Sequence, residues 1–146
     1  RGREDRPTDT TLELVEIIKE AMPAKALREK QHPAKRTFQA IRIAANDELA
    51  SVERMLQGAV PRLNPGGRLA VITFHSLEDR IVKNGLTQFA RGCTCPPDFP
   101  VCVCGKVQEV RLVNAKPITA SAAELEENPR AESAKLRIVE RLAANK

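Results

Sequence analysis

The first long stretch of regularly spaced apolar positions lies near the amino terminus. Leu14, Ile17 and Ile18 recur at spacings of three and four residues, which places them on one face of a helix. Thr10 and Glu13 stand before this run with the spacing of a capping box. The pattern therefore predicts a short helix that begins at Thr10 and ends before the next proline.

The longest helical period follows His32 and Pro33 and is predicted to end near Pro61. Its apolar positions predict one continuous buried stripe made of Phe38, Ile41, Ala45, Leu49, Val52, Leu56 and Val60. A polar strip of the same helix carries Lys35, Gln39, Arg42 and Asn46. These four side chains project together and are candidates for phosphate binding, although an ordinary solvated helix face explains the same spacing. His32 is predicted to cap the helix or to pack at its start.

The next stretch combines a turn, a strand and the start of a helix. Pro65, Gly66 and Gly67 form the turn, and residues 68–74 form an almost continuously apolar run. This run predicts a strand that is covered on both faces and belongs to a parallel α/β sheet. The helix start is predicted by the capping-box spacing of Ser76 and Asp79.

The end of this predicted strand is the first candidate for chemistry, because ligands of open α/β sheets bind beyond the carboxyl ends of the strands. His75 could act as a general base, contact a substrate or be a satisfied core histidine. Ser76 is the other candidate, and its capping role explains it without catalysis. No set of nucleophile, base and orienting group can be completed from the sequence.

All four cysteines lie in one proline-rich segment, residues 92–105. They form two Cys-x-Cys pairs, Cys93 with Cys95 and Cys102 with Cys104. Four thiolates could close a tetrahedral, structural zinc site. Zinc knuckles prefer Cys-x-x-Cys, however, so redox-labile thiols and a merely thiol-rich loop remain alternatives.

The last third of the chain predicts two strands and a helix between them. Residues 107–113 alternate apolar and polar side chains in the period of a strand. Ser121 and Glu124 have the spacing of a capping box for a short acidic helix that stops before Pro129. Residues 134–142 predict a closing strand at or beside the edge of the sheet.

Composition is consistent with one soluble domain. The chain has 146 residues, a net charge of +5 and 42% hydrophobic residues. It contains no apolar run of about 18 residues and no secretory leader, so we expect a cytoplasmic protein without a membrane partner. The basic charge permits an anionic partner. Because aromatic residues make up only 3% of the chain, any RNA contact must depend on Arg and Lys.

Three blocks of the sequence resemble those of the RsmH (MraW) family, in the family's order. They are HPAKRTFQAIRIAANDEL from His32, PGGRLAVITFHSLEDRIVK from Pro65 and NPRAESAKLRIVER from Asn128. The resemblance implies an S-adenosylmethionine-dependent methyltransferase that modifies N4 of a cytidine in small-subunit ribosomal RNA. It also implies an α/β fold, the carboxyl-terminal half of a Rossmann-like class I methyltransferase sheet (residues 33–146). Residues 1–32 would be the end of a helical substrate-recognition insertion.

The family's Gly-Gly-His loop, its acidic residue for the cofactor ribose and its Asp-Leu-Gly-Val-Ser-Ser segment do not occur in this sequence. A methyl donor of this kind needs a glycine-rich turn and an acid. We therefore expect this chain to contain no cofactor-binding residues, to be inactive alone and to require the amino-terminal half of the same protein. The resemblance makes these residues candidates for RNA phosphate contacts: Lys35, Arg36, Arg42 and Arg80. Arg130, Lys135 and Arg137 are further basic residues of the matched blocks, for which structural roles are equally expected.

Two functions of other classes also fit parts of the sequence. A non-catalytic RNA-binding module would explain the basic charge, and a zinc-stapled interaction domain would explain the cysteines. Neither explains the three matched blocks.

Overall fold

The structure is a computed structural model, and it describes residues 8–28, 31–96 and 100–143. The chain divides into two units, residues 1–48 and residues 49–146. The predicted boundary at residue 32 stays a prediction. In the described part of the chain, no helix has the length and apolar character needed to cross a membrane.

The first unit is helical. Its helices are α1 (Thr11–Ala21), α2 (Ala24–Leu27) and α3 (Lys35–Ala45). The predicted capping box of α1 is confirmed: the Glu13 N–H donates to Thr10 Oγ1 over 3.2 Å, and the Thr10 N–H donates to the Glu13 carboxylate over 3.0 Å. At the start of α3, the Ala34 N–H donates to His32 Nδ1 over 3.3 Å. This helix has no side-chain cap, so the predicted capping by His32 is wrong, and its predicted packing role stays a prediction.

The second unit contains both helices and strands, and its first helix begins at Glu48, the last residue of the first unit. In chain order they are α4 (Glu48–Ala59), a 3-10 turn (Val60–Arg62), β1 (Arg68–Thr73), α5 (Ser76–Ala90), β2 (Val110–Leu112), α6 (Ala122–Glu127), a second 3-10 turn (Pro129–Ser133) and β3 (Lys135–Arg141). The predicted start of α6 is confirmed, because the Glu124 N–H donates to Ser121 Oγ over 3.2 Å. The second predicted strand is shorter than expected and is limited to the three residues of β2.

The three strands form an antiparallel sheet in the order β1-β3-β2. The prediction of parallel strand pairing is therefore wrong for the strands described here. β3 is the central strand and lies beside the edge strand β2, which agrees with its predicted position at or beside the edge of the sheet. Asn114 extends the pairing beyond β2, since its side-chain Oδ1 accepts the Ile138 N–H over 2.8 Å and its Nδ2 donates to the Leu136 carbonyl.

One face of the sheet packs against helices and forms the core. The fully buried core side chains come from four elements and the first 3-10 turn: Leu56, Val60, Val82, Leu86, Val110 and Val139. Leu69 and Val71 of β1 pack against this cluster. On the other face Ile72 remains 57% exposed, so the expectation that both faces of β1 are covered is wrong for the part of the chain that the structure describes.

Helices α4 and α5 approach closely at Gly85. A Cβ atom at this position would lie 2.8 Å from Cδ1 of the buried Leu56. The absence of a side chain at Gly85 therefore lets Leu56 fill the space between the two helices.

The long helix predicted between Pro33 and Pro61 is divided in two, so this prediction is wrong. α3 ends at Ala45, and Asp47 adopts a φ of 49° before α4 begins. Asp tolerates this left-handed conformation better than most residues because its short polar side chain can bond locally. Ile41, a member of the predicted buried stripe, is 48% exposed, whereas Leu56 and Val60 of the same stripe are buried.

Candidate functional site

The carboxyl end of β1 leads directly into the first turn of α5, and His75 caps this helix. The Glu78 N–H donates to His75 Nδ1 over 3.3 Å. The Glu78 carboxylate in turn accepts the N–H groups of Phe74 and His75 over 3.0 and 3.3 Å. Three backbone donors at the helix start are thereby satisfied by two side chains.

The predicted Ser76–Asp79 capping box is therefore wrong by one residue. The helix begins with Ser76 as its first residue, and His75 occupies the N-cap position in an extended conformation. His75 was missed because Ser is a far more common N-cap than His. The signal that would have found it is the spacing between His75 and Glu78, which is the same three-residue spacing.

Asp79 has a different role. Its carboxylate accepts from Arg137 Nε over 2.7 Å and from Arg137 Nη2 over 3.1 Å, and Lys135 Nζ lies 3.5 Å away. The hydrogen bonds from Arg137, with the charges of both basic residues, hold the pKa of Asp79 below its usual range despite its burial. Lys135 and Arg137 thus have a structural role, which is one of the two roles that the sequence predicts for them.

The two candidate catalytic residues have different surroundings. The His75 side chain is only 9% exposed, and its Nε2 lies 3.4 Å from the Glu78 carboxylate. Ser76 is exposed, and the ring of Phe74 beside it is 59% exposed. The surface beyond β1 therefore offers an aromatic ring and a hydroxyl, while the imidazole holds the turn beneath them.

The candidate phosphate-binding residues lie in both units. Lys35, Arg36 and Arg42 belong to α3 in the first unit, and Arg80 belongs to α5 in the second; all four are exposed. Arg42 already has an anionic partner, since its Nε and Nη2 donate to the Glu48 carboxylate over 2.8 and 3.1 Å. Asn46 Nδ2 also donates to the Glu48 carboxylate. Two residues of the predicted polar strip, Arg42 and Asn46, therefore contact the first residue of α4, beyond the break that follows α3.

A second charged cluster lies on the sheet face opposite α5. Glu140 of β3 faces Arg68 on one neighbouring strand and Arg111 on the other, with N–O distances of 2.9 Å to each. Hydrogen bonds from Arg111 and Arg68 lower the pKa of Glu140. Pairing across the strands therefore explains why a charged side chain stands at this position of β3.

An open groove of about 700 Å³ lies near the start of β1, and it is lined by Leu63, Pro65, Val107, Gln108, Glu109, Arg141, Leu142 and Ala143. This groove is at the opposite end of the strand from His75. It does not include any of the candidate site residues.

The four cysteines converge, although the described residues around them form no helix or strand. The Sγ–Sγ distances are 3.3 Å between Cys93 and Cys102, 3.5 Å between Cys102 and Cys104 and 3.8 Å between Cys104 and Cys93. Cys95 Sγ lies 4.0 Å from Cys102 Sγ. No disulfide links them.

The pKa values of two of these thiols are shifted in opposite directions. Backbone N–H groups of Thr94 and Lys106 lower the pKa of the Cys104 thiol to about 5. The Cys95 N–H also lowers the pKa of Cys93, but hydrogen bonding with the neighbouring sulfur atoms, with Cys102 first, outweighs it and raises this pKa to about 12.

Comparison with known proteins defines the class. The sequence profile of the MraW methylase family matches residues 1–142, so the chain belongs to a methyltransferase family. Ribosomal RNA small subunit methyltransferase H of Symbiobacterium thermophilum is 62% identical over 99% of this chain, and its namesake from Geobacter sp. strain M21 is 57% identical over 97%. The namesake from Heliobacterium modesticaldum is 58% identical over 94%. The chain is a member of the MraW methylase family, as the three sequence blocks predict, and it spans about 45% of the length of these relatives.

Proposed function

We propose that this chain is the carboxyl-terminal half of an enzyme that transfers a methyl group from S-adenosylmethionine to N4 of a cytidine in small-subunit ribosomal RNA. The observation that carries this proposal is the 55–62% identity to proteins named as small-subunit ribosomal RNA methyltransferases. A ribosomal RNA substrate also leads us to propose a cytoplasmic location. Its partners would be this RNA and the amino-terminal half of the same protein.

The described residues do not fit a complete site for S-adenosylmethionine. A carboxylate that holds the ribose of a cofactor must be available to its hydroxyl groups. At the end of β1, Glu78 caps the helix and Asp79 is paired with Arg137, so both carboxylates already have partners. No glycine lies in the turn between β1 and α5. These observations support the proposal that the residues which hold the cofactor belong to the other half of the enzyme.

The role proposed for this half is to form one wall of the site and to position RNA. Phe74 offers an exposed ring on which a base can stack. Ser76 offers a hydroxyl that can accept or donate a hydrogen bond at the same surface. His75 is proposed to position both, because its imidazole holds the turn that carries them. Alignment of the amine with the methyl donor is what such a wall contributes to the rate.

The contacts that we propose with RNA phosphate groups are electrostatic. Lys35, Arg36 and Arg80 are exposed cations that can approach phosphate groups. Arg42 is proposed to contribute less, because an RNA phosphate would have to compete with the Glu48 carboxylate.

Two experiments test this proposal. Isothermal titration of the chain with S-adenosylmethionine should show no tight binding; a dissociation constant in the low micromolar range would contradict the division of the site between two halves. In the full-length enzyme, Ser76→Ala and Phe74→Ala should reduce methylation of small subunits. Unchanged methylation by both variants would remove the strand end from the site.

A further inference from the structure

The two ends of the segment that carries the cysteines meet at one place, because the Glu109 N–H donates to the Phe89 carbonyl over 2.9 Å. None of the described residues in 91–96 and 100–108 is buried. Val101 and Val103, the largest apolar side chains described there besides Val107, are 68% and 73% exposed. Hydrophobic burial therefore does not hold the described residues of this loop together.

The described hydrogen bonds between the two halves of the loop involve sulfur, and one of them runs from the Thr94 N–H to Cys104 Sγ over 3.5 Å. Within the first pair, the Cys95 N–H donates to Cys93 Sγ over 3.3 Å. The ligand atoms of Cys93, Cys95, Cys102 and Cys104 all lie within 4.8 Å of one another. Short segments without a core commonly depend on a metal or a disulfide for their structure.

The spacing of the sulfur atoms matches a tetrahedral ion. With Zn–S bonds of about 2.3 Å, the edges of a tetrahedron of sulfur ligands measure about 3.8 Å. The four shortest Sγ–Sγ distances run from 3.3 to 4.0 Å. A set of four sulfur ligands in this arrangement selects zinc or iron, and it excludes the hard ions Mg²⁺ and Ca²⁺.

We propose that Cys93, Cys95, Cys102 and Cys104 bind one Zn²⁺ ion, which holds the two halves of this loop together. All four protein ligands are present, so the site is closed and structural. On binding, the thiol protons pass to solvent and four thiolates coordinate the ion without any change of oxidation state. The resulting charge of −2 is offset by the basic residues Arg91 and Lys106 that flank the pairs.

The backbone beside the last ligand suits such a site. Gly105 follows Cys104 and has a φ of +60°, which a side chain would disfavour. From the other half of the loop, the Thr94 N–H donates to Cys104 Sγ over 3.5 Å. Hydrogen bonds from backbone N–H groups to sulfur stabilise thiolate ligands.

The test is metal analysis of the chain, produced without a metal-affinity tag and kept reduced. We expect one zinc per chain by inductively coupled plasma mass spectrometry. Cys102→Ser and Cys104→Ser should lower this content at least tenfold, while Val103→Ala, in the same loop, should keep it. Because the loop lies outside the core, all three variants should keep the cooperative unfolding of the sheet, which separates loss of a ligand from loss of the fold.

Substitution with Co²⁺ gives a second readout. Four thiolates around Co²⁺ produce intense visible bands that are typical of tetrahedral geometry, together with a sulfur-to-metal charge-transfer band, and Cys102→Ser should weaken both. Zinc content no higher than in Cys102→Ser would overturn the proposal. Stoichiometric iron in place of zinc, or a disulfide among the four cysteines in the reduced preparation, would also overturn it. The proposal does not depend on methyltransferase activity.

Discussion

Asp79 in the first turn of α5 and Arg137 in the middle of β3 form a two-point ion pair, with N–O distances of 2.7 and 3.1 Å. Both side chains are about nine-tenths buried. The pair connects the helix that follows the candidate site to the central strand of the sheet. It therefore fixes the orientation of the surface formed by Phe74 and Ser76.

Asp79→Asn should destabilise the fold by about 2–3 kcal/mol, because it leaves the buried Arg137 charge without its anionic partner. Urea unfolding at neutral pH measures this change. Glu53→Gln, which removes a carboxylate from an exposed position on α4, is the matched control and should change the free energy of unfolding by less than about 0.5 kcal/mol. Equal effects of the two variants would show that the ion pair contributes nothing specific.

The same pair predicts a pH dependence. The folded-state pKa of Asp79 is lowered from its ordinary value of 3.8, so its contribution is fully present above that value and is lost as pH falls through the folded-state pKa. The stability difference between the wild type and Asp79→Asn should therefore shrink as the pH is lowered below about 4. A difference that stays constant down to pH 2 would contradict this assignment.

His75→Ala should cost about 1 kcal/mol, since it removes the acceptor for the Glu78 N–H at the start of α5. His75→Asn should recover most of this loss because Asn is a good N-cap. Ser76→Ala is the decisive comparison and should leave the free energy of unfolding nearly unchanged. A larger loss in Ser76→Ala than in His75→Ala would restore the capping box predicted from the sequence.

Gly85→Ala and Gly58→Ala form a matched pair in neighbouring helices. The new methyl group at position 85 would lie 2.8 Å from buried Leu56 Cδ1, whereas at position 58 it would lie 3.4 Å from Arg62 Nη1. Crowding in the core costs about 1–3 kcal/mol and exceeds the gain in helix propensity. Thermal unfolding should show a lower Tm for Gly85→Ala and an unchanged or higher Tm for Gly58→Ala. A stabilising effect at position 85 would contradict the close packing of α4 and α5.

The double variant Lys35→Ala/Arg36→Ala should weaken binding of the chain to small-subunit ribosomal RNA in filter-binding assays. The slope of log affinity against log salt should also fall by about one for each phosphate contact removed. Arg42→Ala should have a smaller effect because Glu48 already neutralises its charge. The double variant Lys19→Ala/Lys25→Ala, which removes the same number of positive charges elsewhere in the first unit, controls for net charge. Equal effects of the two double variants would show that the RNA is attracted by net charge alone.

Local sequence patterns predicted those elements whose ends are fixed by neighbouring residues. The start of α1 at Thr10 and that of α6 at Ser121 follow from side chains that bond within three residues. The break at Asp47 was missed because the apolar period continues through it, and a single positive φ leaves no trace in that period. The antiparallel direction of β3 was missed for a related reason: strand pairing depends on residues far apart in sequence.

The sequence predicts chemistry at the end of β1, and this stays a prediction; the structure has an exposed Phe74 and Ser76 there. The partner of Asp79 could not be predicted, because Arg137 is 58 residues away and meets it only through the sheet. The convergence of the four cysteines was predicted as one of three alternatives, and only the folded loop brings the sulfur atoms within reach of a single ion.

We propose that the full-length enzyme methylates N4 of a cytidine in small-subunit ribosomal RNA. Nucleoside mass spectrometry of small-subunit RNA, after incubation with the full-length enzyme and isotopically labelled S-adenosylmethionine, detects this product. We expect labelled N4-methylcytidine, and a reduced amount with the Phe74→Ala enzyme. Label on another atom or base, or no label in small-subunit RNA with the wild-type enzyme, would show that the proposed function is wrong.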